Sequence, residues 1–528
     1  MPQKTRVPRI PAGCAAHGIS RRRFIRDCAA CAGAAGLMTT PAWPRPAART
    51  EAGRDDPRIR VLYSLHVPKQ DRPDWPNIGF DFAPVMEKTN AELVRRFPGF
   101  TFLPETATGP EQAQKIIESA QAAPVDGYLV FQMNCWNRVV QTAAETGKPV
   151  LYADFKYAGS GGFLVYSAAF RRAGTRNVGF VASPRAADLA EAVGCFKAAK
   201  AGGPGFDFAA ATAAARRANT APAGDLSCLA DRLDPLPGSE AVPRMKASKI
   251  LAIRDDKSGP ETTAMGIPVV QIPFSEVNAA WAAADKEEAR LVADRWIKTA
   301  SLVEGVSFDE IVNSAAMYLG MKAVLRARGA NAITMNCLGG FYGGHIHAYP
   351  CLGFHELNNE GLVGACECDV PSTASMVAGT ILTRGRPGYI SDPVMDTSER
   401  RIIYAHCVAS NRVFGPGGPA NPFQILTHSE DRQGASVRSI LPVDYMTTSI
   451  ETNDARREIL FHRAKAVGND PDDRACRTKL VAEPLGDFEK LFTMWDVWGW
   501  HRVTFYGDLR EPVHALADAI GWKVVEEA

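Results

Sequence analysis

From Arg58 onward, the apolar positions of this chain fall into short runs separated by stretches with helical spacing. Arg60 to His66 reads as a strand, and Phe82 to Phe97 carries apolar residues at the three- and four-residue intervals of an amphipathic helix. Pro110 to Ala122 predicts a second helix leading into the apolar run Gly127 to Met133. Arg138 to Thr146 predicts a third helix, followed by strands at Pro149 to Asp154 and Asn177 to Ala182. Short apolar strands alternating with helices predict parallel βαβ units.

Residues 201–245 are rich in Ala, Gly and Pro and mark a junction between domains. The parallel pattern resumes with Lys249 to Ile253 and Pro268 to Ile272. Two long amphipathic helices, Val277 to Lys298 and Phe308 to Ala327, then lead to a strand at Ala332 to Met335. Beyond about Gly388 the texture changes to short β-rich runs with turn residues, such as Ile402 to Val408 and Ser436 to Ser449. Arg502 to Tyr506 and Glu511 to Ile520 predict a last strand and helix. The expected fold class is α/β, with parallel-sheet domains over 49–200 and 246–387 and a β-rich C-terminal domain over 388–528.

The first 48 residues follow a different rule. Ser20-Arg21-Arg22-Arg23-Phe24-Ile25-Arg26 matches the twin-arginine export pattern, and the weakly apolar run Cys28 to Met38 is too short to span a bilayer. The Pro- and Ala-rich stretch Thr39 to Ala48 reads as the cleavage region. This predicts a signal peptide over residues 1–48, handed to the twin-arginine translocase with the protein already folded, and a periplasmic destination. Folded export often follows the loading of a metal or cofactor. The leader holds eight Lys or Arg and one Asp, a charge of +7, so the rest of the chain goes from +2 to −5. A mildly acidic chain without a basic stripe argues against nucleic acid as a partner. Nine of the twelve cysteines lie beyond the leader, an odd number that precludes complete intramolecular pairing. Buried thiols with a disulfide or two are the expectation. Cys366-x-Cys368 lacks the second pair a structural zinc site needs.

Chemistry concentrates in Asn336 to Asp369, NCLGGFYGGHIHAYPCLGFHELNNEGLVGACECD, which contains His345, His347, His355, Glu356, Glu360, Glu367 and Asp369. A strand end followed by a Gly-rich turn and a helix is where α/β proteins place ligand groups. Strand alternation over Gly364 to Val370 predicts Glu367 and Asp369 on one face. Two such carboxylates are costly together without a cation, and oxygen ligands favour Mg²⁺ or Mn²⁺. A solvent-facing strand edge with salt-bridged acids is the alternative. Elsewhere, Trp136 and Asn137 follow a strand end from which the N-terminal domain can reach a cleft. Tyr157 to Phe163, YAGSGGF, is either a flexible turn or a backbone cradle for a ligand. Trp495, Trp498 and Trp500 either stack on a sugar ring or are buried core.

The run GACECDVPSTASMVAGTIL is followed by a strand with Asp392 and Asp396 and then by Tyr404-Ala405-His406-Cys407. Together these resemble the C-terminal half of the L-fucose isomerase-like proteins, a superfamily that includes L-arabinose isomerase. Glu367, Asp369 and Met376 match the family's Glu-x-Asp pair and the small-x-x-Met pattern of the helix after it. Trp500 to Asp508 resembles its terminal His-bearing strand, and Tyr349 to Gly361 the helix before the Glu-x-Asp strand. The resemblance covers about residues 245–528; the N-terminal half matches only in texture.

The resemblance implies aldose–ketose isomerisation of an open-chain sugar through a cis-enediol, with a Mn²⁺-like ion across two sugar oxygens. It implies Asp369 as a metal ligand, Glu367 as a ligand or the proton-shuttling base, and His501 as a distant ligand with His406 as its competitor. Glu356, thirteen residues before Asp369, is the upstream acid offered for a separate catalytic glutamate. His345 and His347 depart from the family pattern and are either an added ligand set or part of the lining of the substrate cleft, which Trp136, Asn137 and Trp500 are expected to share. The family's ring assemblies imply a homo-oligomer. A non-catalytic periplasmic carbohydrate-binding protein on the same scaffold is the alternative.

Overall fold

Ile59, Val61, Leu62 and Tyr63 are all inaccessible to solvent, so the first strand has both faces covered, as in a parallel sheet with helices on each side. The computed structural model describes residues 56–119 and 124–528. The twin-arginine leader expected over residues 1–48 lies outside the described residues.

Strands β1 (Arg58–Ser64), β2 (Thr101–Ala107), β3 (Gly127–Gln132), β4 (Val150–Asp154) and β5 (Val178–Val181) form a parallel sheet in the order β2-β1-β3-β4-β5. The order reverses between β1 and β3, and the segments leaving their C-terminal ends flank the crevice this topology opens. In the stretch expected as a junction, the helices Phe208–Asn219 and Gly238–Ala247 form. Alanine-rich sequence favours helix, and Asp207 caps the first by accepting the Ala210 N–H at 2.9 Å.

The second sheet contains β6 (Ile250–Ile253), β7 (Thr262–Ala264) and β8 (Ile267–Ile272). After β9 (Leu302–Glu304), which pairs elsewhere, it is completed by β10 (Ala332–Met335) and β11 (Val363–Cys366). The order is β11-β10-β6-β8-β7, parallel except at the β7 edge. The single long helix expected from Val277 to Lys298 is two helices, Phe274–Ala282 and Lys286–Thr299. Asp285 starts the second by accepting the Glu288 N–H at 2.8 Å, a local cap that helical periodicity alone does not register.

The C-terminal region is β-rich. It comprises β12 (Tyr389–Asp396), β13 (Arg401–His406), β14 (Phe423–Leu426), β15 (Ser436–Ser439), β16 (Met446–Asn453), β17 (Glu458–Asn469), β18 (Thr478–Pro484), β19 (Arg502–Tyr506) and β20 (Lys523–Glu526). The order β16-β19-β12-β13-β18-β17 closes on itself through pairing of β16 with β17, which makes a barrel. β20 extends β17 in parallel, and β9, β14 and β15 form a separate small sheet. The run Ser436 to Ser449, expected as one strand, is thus split between the small sheet (β15) and the barrel (β16). Two parallel-sheet α/β portions followed by a β-rich portion is the architecture that the hydrophobic pattern predicts. Among the described residues, no helix is long and apolar enough to cross a membrane.

Candidate metal centre

Strand β11 ends at Cys366, earlier than its alternation suggests, and the backbone then turns sharply. Glu367 and Cys368 both occupy the left-handed region, at φ 63° and 52°. Neither is glycine, so each conformation costs on the order of 1–2 kcal/mol and persists only because its surroundings hold it. The expectation that Glu367 and Asp369 share a strand face is therefore corrected: Glu367 lies in a turn and Asp369 directly after it, beyond the end of the strand. A disulfide between Cys337 and Cys366 ties the chain following β10 to the end of β11. On the far side of the turn, Asp369 caps the helix Val370–Leu382 by accepting the Ser372 N–H at 3.1 Å.

The barrel supplies three more groups. β19, β12 and β13 are neighbours, so Asp392 on β12, His406 at the end of β13 and His501 just before β19 come to one end of it. Single donor atoms from Glu367, Asp392, His406 and His501 all lie within 4.8 Å of one another. His501 Nε2 faces Asp392 Oδ1 at 2.9 Å and Glu367 Oε2 at 3.4 Å. His406 Nε2 lies 3.9 Å from both Glu367 Oε1 and Asp392 Oδ2. Asp392, His406 and His501 are buried; Glu367, with its side chain 23 % exposed, is the open edge of the group.

The donor chemistry suits a divalent cation. His501 Nδ1 donates to Asp369 Oδ2 at 2.7 Å, so the lone pair of its Nε2 is directed at two carboxylate oxygens. A carboxylate behind a histidine sets the ring's tautomer and raises its basicity, as in many metal sites. His406 Nε2 is buried with no hydrogen-bond partner among the described residues, the kind of orphaned atom that a ligand satisfies. Its Nδ1 accepts the Cys407 N–H at 3.0 Å, so binding through Nε2 requires that contact to open. Two imidazoles with two carboxylates point away from Mg²⁺ and Ca²⁺, which prefer all-oxygen shells, towards a borderline transition ion.

The remaining sequence candidates are distributed as follows. Asp369 stands behind His501, outside the four-residue group. Glu356, on the helix Cys351–Asn359, accepts from Trp296 Nε1 at 3.0 Å and pairs with Arg295 at 2.8 Å. His345 pairs with Asp256 at 3.2 Å and stacks on Phe274, whereas His347 lies against Trp281. Trp500 does join the metal group's surroundings: its ring lies parallel to that of His501 and edge-on to Trp75 and Trp136 at 5.4 and 5.6 Å. Trp75 and Trp136 belong to the first α/β portion, so this aromatic cluster joins that portion to the barrel beside the four donors. Asn137 is buried behind it, with Oδ1 accepting from Ser64 at 2.5 Å and Gln132 at 2.7 Å. The YAGSGGF segment is a turn over Tyr157 to Gly159 followed by the first residues of the helix Ser160–Arg172, and Gly161 lets that helix lie directly on the Trp500 ring.

Sequence reasoning did not single out Asp392 as a ligand or Glu430 at all. Asp392 carried one usable signal, an acid in a strand whose every residue is buried. Glu430 follows β14 and accepts from Tyr342 Oη at 3.1 Å. Burial, with the Asp74 and Glu367 carboxylates and against the pull of His428, lifts it to about 8. Behind Asp369, burial and the Asp369 charge lift Glu451 to about 8, so it is held protonated while accepting from Ser372 Oγ at 2.6 Å.

No family model matches the chain. It is 27 % identical over 213 residues to a sulfoquinovose isomerase of Clostridium sp. (strain MSTE9), covering 39 % of this chain and 46 % of that one. A second sulfoquinovose isomerase, from Priestia aryabhattai, is 25 % identical over 154 residues, covering 28 % of this chain and 33 % of that one. The matches thus span less than half the length of these curated relatives. Among solved structures, an Agrobacterium vitis ABC-transporter solute-binding protein bound with alpha-D-tagatopyranose aligns at 11 % identity over 53 % of this chain and 75 % of that one, with a TM-score of 0.17. An Acidothermus cellulolyticus carbohydrate transporter in complex with myo-inositol aligns at 12 % over 55 % and 79 %, also at 0.17. By sequence, then, the chain is distantly similar to sugar isomerases.

Proposed function

We propose that this protein is an exported, metal-dependent sugar isomerase that interconverts an aldose and a ketose by moving a proton between C1 and C2. The observation that carries the reading is the meeting of Glu367, Asp392, His406 and His501 within 4.8 Å at one end of the barrel. Distant similarity to sulfoquinovose isomerases supplies the reaction class. A bound divalent ion such as Mn²⁺ would supply positive charge that polarises the sugar's carbonyl and makes the hydrogen on the adjacent carbon easier to remove, while the hydroxyl proton passes to the carbonyl oxygen.

The chain's own residues divide the rest of the work. Asp392, His406 and His501, the buried members of the group, would hold the ion, and Asp369 positions His501. Glu367, the most open of the four, carries the proton between the two carbons; it leaves a strained turn, and its carboxylate forms the partly exposed edge of the group. Trp500 and Trp136 form the wall against which the sugar packs. Glu356 holds the surrounding helices together through Arg295 and Trp296. The twin-arginine leader takes the chain out of the cytoplasm folded, with its metal loaded.

The test is metal analysis of purified protein together with solvent exchange. Wild type is expected to hold one divalent ion per chain and to exchange the C2 hydrogen of a substrate sugar in D₂O, followed by NMR over a panel that includes sulfoquinovose. His501→Ala and Asp392→Asn should lose the ion. Sugar binding without C2 exchange in the metal-loaded protein would instead identify a carbohydrate-binding protein.

A further inference from the structure

Where the small sheet meets the end of β17 and the start of β18, a cavity of about 160 Å³ is lined by Gln424, Arg438, Ser439, Asn469, Asp470 and Lys479, among others. Two of these side chains are cations with no carboxylate of their own. Lys479 is 1 % exposed; its Nζ donates to the Asp472 carbonyl at 2.6 Å and lies 5.1 Å from the Tyr157 ring centre. Arg438 uses only Nε, donating to the Arg477 carbonyl at 3.0 Å. Among the described residues neither makes an ion pair.

The acids nearby offset them only in part, because each of the aspartates closest to them already has a partner of its own. Asp470 accepts from Tyr157 Oη and from the Asp472 N–H at 2.9 Å, and it pairs with Lys156 at 3.4 Å. Asp472 takes a forked pair from Arg474 at 2.6 and 3.0 Å. Asp473 is bound by Arg432 at 2.8 Å and by Arg477. The Gln424 side chain completes the lining, with a buried Oε1 that has no hydrogen-bond partner among the described residues. Its carboxamide makes no other bond there, so its N–H groups are available to a ligand. Keeping a buried ammonium beside an unpaired guanidinium is expensive, and burial pulls the Lys479 amine down to about 8.

We propose that this cavity is an oxyanion site in which Arg438 and Lys479 bind a phosphate- or sulfate-type group, with Gln424 as a further donor. A guanidinium presents two parallel N–H groups that match the oxygens of such a group, and an adjacent ammonium adds a point charge. The site is distinct from the four metal-binding candidates. Lys479 stands opposite Ala405, which stands opposite Asp392, so two strand spacings, about 10 Å, separate them along the sheet. A free oxyanion and the anionic group of a sugar derivative share this chemistry.

Calorimetric titration of the full chain with sodium phosphate and sodium sulfate, at ionic strength fixed with NaCl, tests the site. One saturable binding event is expected, weakened about tenfold or more in Arg438→Gln, as loss of a charge-assisted pair predicts. Lys479→Met should weaken it similarly; should that variant fail to fold, Arg438→Gln decides alone. Glucose and glucose 6-phosphate separate the sources. Glucose 6-phosphate bound more tightly than phosphate, with the gain lost in Arg438→Gln, assigns the site to a sugar-borne anion. Equal binding assigns it to the free ion. No saturable phosphate or sulfate binding by wild type, or binding unchanged in Arg438→Gln, overturns the proposal, and neither result bears on the metal centre.

Discussion

Asp369 has two separable tasks, and substitution can pull them apart. One oxygen caps the helix Val370–Leu382 through the Ser372 N–H, while the other holds His501 Nδ1 at 2.7 Å. Losing an Asp cap to Ala costs about 1 kcal/mol, whereas Asn preserves the cap to within a few tenths. Losing a carboxylate behind a metal-binding histidine typically costs about 10- to 100-fold in metal affinity, or about 1.4–2.8 kcal/mol. Asp369→Asn keeps the cap with its single carbonyl oxygen and so turns its NH₂ towards Nδ1, which loses its acceptor; its expected loss is up to about 100-fold in Mn²⁺ affinity with the metal-free stability almost unchanged. Asp369→Ala should lose up to about 100-fold in affinity and also about 1 kcal/mol of metal-free stability. Calorimetric Mn²⁺ titration gives the first quantity and urea unfolding in EDTA the second. Mn²⁺ affinity within twofold of wild type in Asp369→Ala would refute the positioning role. A comparable stability loss in the Asn variant would refute the cap.

Three further outcomes follow from packing and protonation. Glu451 binds its proton more tightly in the folded protein, at about 8 against a reference of 4.5, so its contribution is fully present below about 4.5 and is lost as pH rises towards 8. Glu451→Gln should therefore lack the decline of a few kcal/mol that wild type shows between pH 5 and 8 in urea titrations, and an unchanged slope would show that the group titrates normally. A Cβ at Gly161 would sit 2.5 Å from Trp500 ring carbons; Gly161→Ala is expected to cost about 1–3 kcal/mol in thermal unfolding and to lower turnover by shifting that ring. Glu356→Gln keeps an acceptor for Trp296 but loses the Arg295 ion pair; turnover should stay within twofold while stability falls by about 1–2 kcal/mol. A large fall in turnover would place that carboxylate in the chemistry.

The architecture was legible along the chain because parallel strands buried on both faces read as bare apolar runs, as Gly127–Gln132 and Ala332–Met335 do. Boundaries were legible less often: Asp285 broke an otherwise continuous helical pattern with a single cap, and Ser436 to Ser449 hid a change of sheet. Glu367 stood out as one of two carboxylates costly together without a cation, and His406 and His501 only through the resemblance of the C-terminal half to the L-fucose isomerase-like proteins. What brings them together is not local. Asp392 and His406 meet because β12 and β13 pair in one register, and His501, about a hundred residues further on, joins them because β19 pairs on the other side of β12. The left-handed turn at Glu367 and Cys368 follows from the anchoring of β11 and of the helix after it, since neither residue favours that backbone by itself. The sequence by itself determined the layers and the kinds of residue available for chemistry, through periodicity and side-chain type. Only the tertiary structure decided which of them share a site, because barrel closure sets distances between residues far apart in the chain.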